Sequence, residues 1–489
     1  MLGIMKNESG ARSMIVSWGC RRHQCPSSGA ALARRRPASY HDFMSERGLA
    51  DSLGKMTAAG VNQAAMNVFE HAYRMLDAGV TGIIREADID PLLDPPRLSD
   101  VHVNDADAQA ALARTVIIKL NGGLGTSMGL DRAKTLLSVR DGLTFLDLIV
   151  AQVRHARQAY GARLPLLFMD SFRTRDDTLS YLARYPDLPT DGLPLDFLQN
   201  VEPKLRADDL TPVSWPADPS LEWCPPGHGD LYPALWGTGL LHALLDAGFR
   251  YASVANGDNL GAAPDPVLAG WFASTGAPYA AEVCVRTAND RKGGHLALRK
   301  ADGRLILRDT AQTAPEEMAY FTDEFRHPFF HANNLWFDLE QVGALLDERH
   351  GVLGLPLIRN EKTVDPTDAT SPAVIQLESA MGSAVEVFEG ARAIAVERDR
   401  FLPVKTTNEL MLLRSDVFAL GDDGRLRAQV EHLPEISLDP RYYRLIDDFE
   451  RRVRVVPSLR RVTSLRVDGD HSFDVPCDLA GDVVLGGDV

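Results

Sequence analysis

A glycine-rich loop between Val116 and Lys134 is the segment whose residue types and spacing most clearly suggest chemistry. A β-branched apolar run, residues 116–118, leads to the sequence Asn-Gly-Gly-Leu-Gly at residues 121–125, and Lys134 follows. Glycine lets a backbone approach a ligand closely, and bare backbone N–H groups form a cradle for phosphate oxygens. The pattern therefore predicts a buried strand that leads into a phosphate-binding loop, with Lys134 adding a positive charge.

The spacing of these glycines excludes two common phosphate-binding loops. A Walker A loop needs a glycine followed five residues later by Gly-Lys-Ser/Thr, and none of the glycines at 122, 123 and 125 is followed in that way. The dinucleotide pattern G-x-G-x-x-G fails because Met128 stands where the third glycine belongs. From this segment alone, an ordinary tight turn stays open as an alternative.

Composition and charge limit the class of protein. The 489 residues are 45% hydrophobic and 24% charged, which is typical of a soluble globular chain of two or three domains. A formal net charge of −15 argues against nucleic acid or an anionic membrane as the main partner. No apolar run approaches the ~20 residues of a membrane-spanning helix. Anionic substrates would therefore need a locally basic pocket.

The first 45 residues differ from the rest of the chain. They carry few acids and lack the apolar core of a secretory signal, and their basic residues include Arg21, Arg22, Arg34, Arg35 and Arg36. We expect residues 1–45 to be a flexible basic extension, or the chain to begin in nature at Met44 or Met56. The five scattered cysteines predict no disulfide framework, which fits a cytoplasmic protein.

Hydrophobic periodicity predicts alternating helices and strands. Helical spacing over residues 61–76, ended by Gly79, predicts an N-terminal helical segment within residues 56–110. Strands are predicted at residues 116–120, 164–169, 196–198 and 251–255, and helices at residues 144–157, with Thr144 as N-cap, and 239–247. This alternation predicts an α/β catalytic domain over residues 111–415, with a mostly parallel, Rossmann-like sheet and helices on both faces. Ligands of such sheets bind beyond the carboxyl ends of the strands, so Asn121 and residues 256–258 should share one crevice.

The C-terminal residues 416–489 show a different pattern. Four apolar residues stand six positions apart: Val467, Phe473, Leu479 and Leu485. A six-residue period is typical of a left-handed parallel β-helix, so we predict a small all-β domain of this kind. An ordinary β-meander is the alternative.

Eight segments resemble the eukaryotic-type UTP–glucose-1-phosphate uridylyltransferase (UDP-glucose pyrophosphorylase) family. They are LNGGLGTSMG (120–129), TFLDL (144–148), SFRTRDDT (171–178), CPPGHGDLY (224–232), VANGDNLGA (254–262), NNLW (333–336), IQLESAMGSA (375–384) and RFLPVKTT (400–407). They keep the order of the family and cover roughly residues 110 to 415. The resemblance implies a nucleotidyltransferase fold with a C-terminal β-helix domain used in subunit contacts, and hence a homo-oligomer.

The resemblance also implies the reaction of UTP with glucose 1-phosphate to UDP-glucose and pyrophosphate. The sugar phosphate attacks the α-phosphorus in line and is already ionised near neutral pH. Catalysis therefore needs positioning and charge neutralisation rather than a nucleophile on the protein. Asp258 matches the family's aspartate for Mg²⁺, Lys134 the lysine that neutralises the triphosphate, and Lys405 the lysine at the transferring centre. Lys362 and Arg400 are further candidate cations.

Ligand recognition follows from the same match. Gln199 is suited to the uracil edge, and Gly227 lets the ring lie flat against the chain. The residues expected to bind nucleotide are Leu120, Asn121, Gly122, Gly123, Lys134, Gln199, Gly227, Asp258 and Lys405. Those expected to bind the sugar phosphate, where amides suit the hydroxyls, are Gly122, Gly123, His228, Asn256, Gly257, Asp258, Asn333, Asn334 and Lys362.

Two departures from the family pattern stand next to the lysines. Ala133 replaces a proline before Lys134, and Glu397 and Asp399 replace a proline and a serine before Lys405. The two added carboxylates predict weaker anion binding by charge repulsion. Two other functions stay open, a broad UDP-sugar pyrophosphorylase and a catalytically silent nucleotide-sugar-binding regulatory subunit.

Overall fold

The computed structural model describes residues 40–190, 192–287, 290–291 and 293–486, with side chains from Ser45 onward. The predicted basic extension, residues 1–45, lies almost wholly outside the described residues. By its contacts the chain from Met44 to Val489 forms one unit. No helix of the described chain has both the length and the apolar character needed to cross a membrane.

The helices of the described residues are α1 (Tyr40–Ala58), α2 (Gln63–Asp77), α3 (Asp105–Ala113), α4 (Phe145–Tyr160), α5 (Arg175–Leu182), α6 (Leu231–Gly237), α7 (Leu240–Asp246), α8 (Pro266–Thr275), α9 (Met318–Phe321), α10 (Leu339–Glu348), α11 (Thr407–Arg414), α12 (Pro440–Tyr443) and α13 (Ile446–Arg452). The strands are β1 (Ile89–Pro91), β2 (Thr115–Asn121), β3 (Ser138–Arg140), β4 (Leu143–Thr144), β5 (Leu166–Asp170), β6 (Asp196–Leu198), β7 (Glu202–Pro203), β8 (Leu205–Arg206), β9 (Trp223–Cys224), β10 (Tyr251–Asn256), β11 (Tyr279–Val285), β12 (His295–Arg299), β13 (Leu305–Arg308), β14 (Phe329–Asp338), β15 (Ile358–Thr363), β16 (Ala373–Glu378), β17 (Arg392–Ala395), β18 (Phe418–Leu420), β19 (Leu426–Ala428), β20 (Glu435–Leu438), β21 (Ser458–Val467) and β22 (Asp478–Leu485).

Local sequence signals account for several of these boundaries. Helix α4 begins where Thr144 caps it in a reciprocal capping box with Asp147, so the predicted N-cap is confirmed. The predicted helix over residues 61–76 is α2, which Asn62 caps by accepting the Ala65 N–H. The N-terminal segment is not purely helical, because β1 pairs antiparallel with β12.

A seven-stranded sheet forms the centre of the fold, in the order β17-β11-β14-β10-β2-β5-β6. Strands β10, β2, β5 and β6 are mutually parallel, and β17 is parallel to β11. Strand β14 runs antiparallel to both of its neighbours. The predicted mostly parallel α/β sheet is therefore confirmed, with one antiparallel strand in its middle.

The two faces of this sheet bury different cores. Alternate residues of β14 show the division: Phe330, Ala332 and Trp336 pack in one core, whereas Leu335 and Phe337 pack in the other. This alternation follows from the two-residue period of a strand. Helix α4 lies in the first core and helices α6, α7 and α10 in the second, as expected for a sheet covered on both faces.

The C-terminal strands β20, β21 and β22 form a separate three-stranded sheet in chain order. Both neighbouring pairs are parallel, so these strands are not a meander, which would be antiparallel. Apolar residues of this sheet, such as Leu465 and Val467, belong to the same core as helix α4. The C-terminal segment is thus packed onto the catalytic part through a shared core.

Candidate active site

A cleft of about 520 Å³ opens at the carboxyl ends of β2, β5, β6 and β10. It is lined by Leu120, Asn121, Gly122, Gly123, Leu124, Gly125, Thr126, Ser127, Lys134, Thr135, Met169, Gln199, Pro225, His228, Asn256 and Asp258. The prediction that Asn121 shares one crevice with the loop after β10 is confirmed. The cause is topological, because the ends of adjacent parallel strands meet at one edge of the sheet.

The glycine loop is anchored from below by the amide of Asn121. Its Nδ2 donates to Asp170 Oδ1 (2.7 Å) and to Thr178 Oγ1 (2.8 Å), and its Oδ1 accepts from Thr135 Oγ1 (2.6 Å). Thr135 follows Lys134 at the far end of the loop, so one buried side chain ties both ends of the loop together. The amide of Asn121 therefore braces the loop instead of facing the cleft.

Asp170 is fully buried beneath this loop, at the end of β5. Burial and the nearby Asp196 raise the pKa of its carboxyl to about 7, although hydrogen bonds from Asn121 and two threonines oppose the shift. Its Oδ2 has no hydrogen-bond partner. Asp170 thus supports the loop, and its burial makes ionisation of its carboxyl group less favourable.

Lys134 and Asp258 meet across the cleft, with Nζ 2.6 Å from Oδ2. Each side chain is 18% exposed, so the pair is accessible from the cleft but shielded from bulk water. The loop that carries Asp258 is fixed by the Gly257 N–H, which donates to Leu120 O (2.8 Å). The predicted cation and the predicted metal ligand are therefore direct neighbours.

Gln199 lines one wall of the cleft, and Gly227 holds its side chain. Gln199 Nε2 donates to Gly227 O (3.0 Å), which leaves Oε1 as a hydrogen-bond acceptor. Gly227 has φ +78°, and a Cβ atom there would lie 2.6 Å from Ser379 O. Only glycine suits both conditions. A Cβ at Gly122 would lie 2.7 Å from Gln199 Oε1, so a side chain there would displace the Gln199 amide.

His228 presents one nitrogen to the cleft and uses the other internally. Its Nδ1 accepts the Met381 N–H (2.9 Å), so the neutral ring carries its proton on Nε2. Burial lowers the pKa of His228 to about 4. The ring is therefore a neutral hydrogen-bond donor at physiological pH.

Asn256 and Asn333 stand together at the edge of the cleft. Asn333 Nδ2 donates to Asn256 Oδ1 (3.1 Å). Asn333 has φ +57°, a left-handed conformation that asparagine tolerates better than other non-glycine residues. Asn256 keeps amide N–H donors and Asn333 keeps an amide oxygen acceptor, so the pair can both donate to and accept from a polyhydroxylated ligand.

Comparison with known proteins decides the family. A family model described as UTP–glucose-1-phosphate uridylyltransferase matches residues 66–479. The chain belongs to this uridylyltransferase family.

Curated UTP–glucose-1-phosphate uridylyltransferases are similar over most of the chain. The protein from Hordeum vulgare is 38% identical over 401 residues, 81% of this chain and 81% of its own length. The protein from Solanum tuberosum is 34% identical over 445 residues, 88% of this chain and 91% of its own. A UDP-glucose pyrophosphorylase mutant from Leishmania major, solved in complex with UDP-glucose, matches with TM-score 0.84 and 41% identity over 89% of this chain and 94% of that one.

Seven residues predicted from the resemblance to the uridylyltransferase family are absent from the cleft lining. Gly227, Gly257 and Asn333 adjoin or contact lining residues, whereas Asn334, Arg400, Lys362 and Lys405 are placed elsewhere. Asn334 is buried, and its Nδ2 donates to Glu282 Oε2 (3.0 Å) and Arg400 O (3.2 Å), because it points to the opposite face of β14 from Asn333. Arg400 is also buried, in an ion pair with Glu282. Neither side chain is free to contact a sugar phosphate.

Lys362 and Lys405 lie outside the cleft lining for a different reason. Lys362, on β15, donates to Gln376 Oε1 (3.1 Å) and lies 4.0 Å from Glu378. Lys405 is exposed, in the turn just before α11. Both are surface cations of neighbouring segments. Glu397 and Asp399 are exposed on the turn before Lys405.

Sequence reasoning missed the residues that support the uridylyltransferase-family cleft from within. They are Lys119, Asp170, Asn259 and Glu282. A lysine inside the apolar run of β2 was a visible signal, because a buried lysine needs a partner. Asp170 and Glu282 gave no such signal, since their partners are distant in sequence.

Proposed function

We propose that the chain is a UTP–glucose-1-phosphate uridylyltransferase, which forms UDP-glucose and pyrophosphate. The observation that carries the proposal is the Lys134–Asp258 pair at the glycine loop, in a chain of the uridylyltransferase family. The reaction needs a phosphate cradle, a cation and a metal carboxylate at one point, and this pair lies beside the loop in the same cleft.

The nucleotide is proposed to lie along the glycine loop. Backbone N–H groups at Gly122 and Gly123 would face it, since no side chain intervenes. Gln199 Oε1 would accept the N3–H of uracil, because Nε2 is already engaged by Gly227 O. Cytosine has an acceptor at N3, so the same arrangement would disfavour CTP.

The sugar phosphate is proposed to lie on the other side of the cleft. His228 Nε2 would donate to a hydroxyl or phosphate oxygen, and the amides of Asn256 and Asn333 would bind hydroxyls of the sugar. Gly257 would let the sugar approach the loop after β10. The sugar phosphate oxygen would then attack the α-phosphorus in line, with pyrophosphate leaving.

Mg²⁺ is the proposed cofactor, with the Asp258 carboxylate as its protein ligand. Among the described residues no group of three or more His, Cys, Asp and Glu side chains is arranged to hold a metal ion alone. This suits Mg²⁺, which binds through one or two carboxylates plus substrate phosphates. The ion would supply charge neutralisation at the phosphates, while Lys134 exchanges Asp258 for a phosphate oxygen.

Lys405 and Lys362 are proposed as additional phosphate contacts. Lys405 follows a segment that is bound to the loop of Asp258, because Asn259 and Pro403 form a β-bridge. The backbone that carries Lys405 is therefore held close to the loop of the metal ligand. Lys362 lies beside the strand that leads to Ser379, which contacts Gly227.

The C-terminal segment is proposed to be a short left-handed β-helix that supports homo-oligomer contacts. The parallel pairing of β20, β21 and β22 supports this, as does the six-residue spacing of apolar residues that ends at Leu485. A cytoplasmic location is proposed with it.

The test is pyrophosphate release with UTP and Mg²⁺ across a panel of sugar 1-phosphates. Release confined to glucose 1-phosphate is expected. Release with several sugars would instead indicate a broad UDP-sugar pyrophosphorylase. UTP binding without release for any sugar would contradict the proposal and favour the silent regulatory subunit.

A further inference from the structure

A buried polar cluster lies in the first core, on the face of the central sheet opposite to Asn333. It consists of Lys119 on β2, Glu282 on β11, Asn334 and Trp336 on β14, and Arg400, and we call it the Glu282 cluster. All five side chains are buried, although their neighbours on the same strand faces are apolar. Such a group costs stability unless every member is paired.

Nearly every polar group of this cluster has a partner. Arg400 Nε and Nη2 donate to the two oxygens of Glu282 (2.7 and 2.8 Å), and Trp336 Nε1 donates to Glu282 Oε1 (2.9 Å). Arg400 Nη1 donates to Ala263 O (3.2 Å), and Lys119 Nζ donates to Ala262 O (2.7 Å). The cluster therefore holds both the backbone near Arg400 and the end of the loop after β10.

Asn259 joins these two backbones directly above the cluster. Its Nδ2 donates to Arg400 O (3.1 Å) and to Asn334 Oδ1 (3.0 Å). Its Oδ1 accepts the N–H groups of Leu402 (2.8 Å) and Gly261 (3.1 Å). One buried amide thus uses its full hydrogen-bonding capacity to bind the loop of Asp258 to residues 400–402.

Close backbone packing supports the same connection. A Cβ atom at Gly261 would collide with the backbone of Asp399 and Arg400, so the two segments are in direct contact there. Asn259 also forms a β-bridge with Pro403. Asp258 precedes Asn259 in the chain, and Lys405 lies two residues after Pro403. The proposed metal ligand and the proposed phosphate lysine therefore extend from one joined unit.

We infer that Asn259 is a positioning residue, which sets the position of Lys405 relative to Asp258 for uridylyl transfer. The inference rests on the proposed function. Asn259 contacts no substrate in this account, since its amide is buried and fully bonded. Its effect should fall on turnover, because Lys405 acts at the transferring phosphate, and much less on the binding of UTP, which the glycine loop and Gln199 provide.

The decisive experiment is a double-variant cycle of Asn259→Ala and Lys405→Ala, with kcat and the KM for UTP measured for each enzyme. Misplacing a reacting group by about 1 Å can cost about 100-fold in rate, so Asn259→Ala is expected to lower kcat by about that factor. The KM for UTP should change less than about threefold, the range of an unperturbed site. In the Lys405→Ala background the further loss should be less than about threefold, because coupled residues are non-additive.

Asn259→Asp keeps the two accepted hydrogen bonds and loses the two donated ones, so it tests the inference if the alanine variant does not fold. It should lower kcat in the same direction. Gln312→Ala is the matched control, since it removes another buried amide, one that accepts the Asp309 N–H (3.0 Å) in the short 3-10 helix after β13. Its kcat should stay at the wild-type value.

Two results would overturn the inference. One is a variant at Asn259 with wild-type kcat. The other is an equal loss of kcat with and without Lys405, which would indicate general destabilisation. Wild-type turnover in the same assay tests the proposed function separately, because its absence overturns that function while normal wild-type turnover leaves only the role of Asn259 in question.

Discussion

Lys134 Nζ lies 2.6 Å from Asp258 Oδ2, so the cation expected to neutralise a triphosphate is paired with the expected metal carboxylate. A cation held by a carboxylate of its own site keeps the cleft close to neutral in a chain of net charge −15. The proposed binding of UTP with Mg²⁺ would exchange these partners.

Removing one charge of this pair should abolish most turnover. Asp258→Asn keeps the size of the side chain, removes the metal ligand and leaves Lys134 without its partner. We expect kcat to fall by about 100-fold or more, as for loss of one preorganised electrostatic group. Asp131→Asn makes the same charge change at an exposed position beside the glycine loop and should have wild-type kcat. Near-normal turnover of Asp258→Asn would contradict the site assignment.

Gln199 should determine the choice of pyrimidine. Gln199→Ala removes the acceptor for uracil N3–H, and we expect kcat/KM for UTP to fall by about 10–100-fold, which corresponds to about 1.4–2.7 kcal/mol of recognition. The low activity with CTP should change less, so the UTP/CTP ratio is the measurement. Gln152→Ala, which removes a buried amide bonded to Leu260 O and Gly424 O, should leave that ratio unchanged. An unchanged ratio in the Gln199 variant would refute the assignment.

Gly227 and Gly239 are two glycines with similar positive φ angles but different ψ angles, 175° and 0°. Their φ angles are +78° and +75°, but only Gly227 has close neighbours, whereas a Cβ at Gly239 meets nothing within 4 Å. Gly239→Ala should cost about 1 kcal/mol of stability from backbone strain and leave the Kd for UTP unchanged. Gly227→Ala should weaken UTP binding at least about tenfold, since it displaces the wall that holds Gln199. Isothermal titration calorimetry on both variants makes the comparison, and equal Kd values would count against this wall.

Asp170 should make the stability of the fold depend on pH in a definite direction. Burial raises its pKa to about 7, whereas an unfolded aspartate titrates near pH 4. The folded state therefore holds a proton that the unfolded state has lost, and the free energy of unfolding from this group falls as pH rises from about 4 to about 7, by at most about 1.4 kcal/mol per pH unit.

Asp170→Asn keeps an oxygen that can accept from Asn121 and removes this titration. The difference in unfolding free energy between the variant and the wild type should therefore increase through that window, as measured by denaturant unfolding at several pH values. Asp176→Asn, at an exposed position of α5, should run parallel to the wild type. Parallel curves for Asp170→Asn would show that its carboxyl has an ordinary pKa.

His228 should act as a donor without titrating during the assay. Its pKa of about 4 keeps the ring neutral above pH 5, so no limb of the pH–rate profile between pH 6 and 9 should originate from it. His228→Ala should raise the KM for the sugar phosphate by about 5–100-fold, since a bound polar group loses its partner. The shape of its pH profile should match the wild type. A limb near pH 6.5 that disappears in the variant would contradict the neutral-donor role.

Local sequence patterns predicted the elements around the cleft well. Strand β2 has an apolar β-branched run that ends in the glycine-rich loop, strand β10 ends just before Gly257, and Thr144 gives a capping signal for α4. The parallel arrangement then follows from the alternation of elements, which brings Asn121 and Asp258 to one edge. These are features of short stretches of chain, so a single sequence is sufficient to recognise them.

The orientation of individual side chains could not be predicted in the same way. Asn333 and Asn334 are identical neighbours, and both were expected at the sugar phosphate. Which of them reaches the cleft depends on how β14 is placed between β10 and β11 and on the positive φ of Asn333. Likewise, the guanidinium of Arg400 is a side chain that could bind phosphate. Its ion pair with Glu282, 118 residues away in sequence, gives it a structural role instead.

Strand β14 supplies the cleft from one face and the Glu282 cluster from the other, with Asn333 and Asn334 as consecutive residues. Because side chains alternate strictly, inserting or deleting one residue upstream in this strand would exchange the two faces. The Asn333 amide, now bonded to Asn256, would enter the core, and the Asn334 amide, now bonded to Glu282, would leave it. One change of register would therefore remove both the proposed sugar contact and a member of the Glu282 cluster. Length changes in this chain should therefore be tolerated in surface connections, such as that between β15 and β16, while the register of β14 stays fixed from both sides.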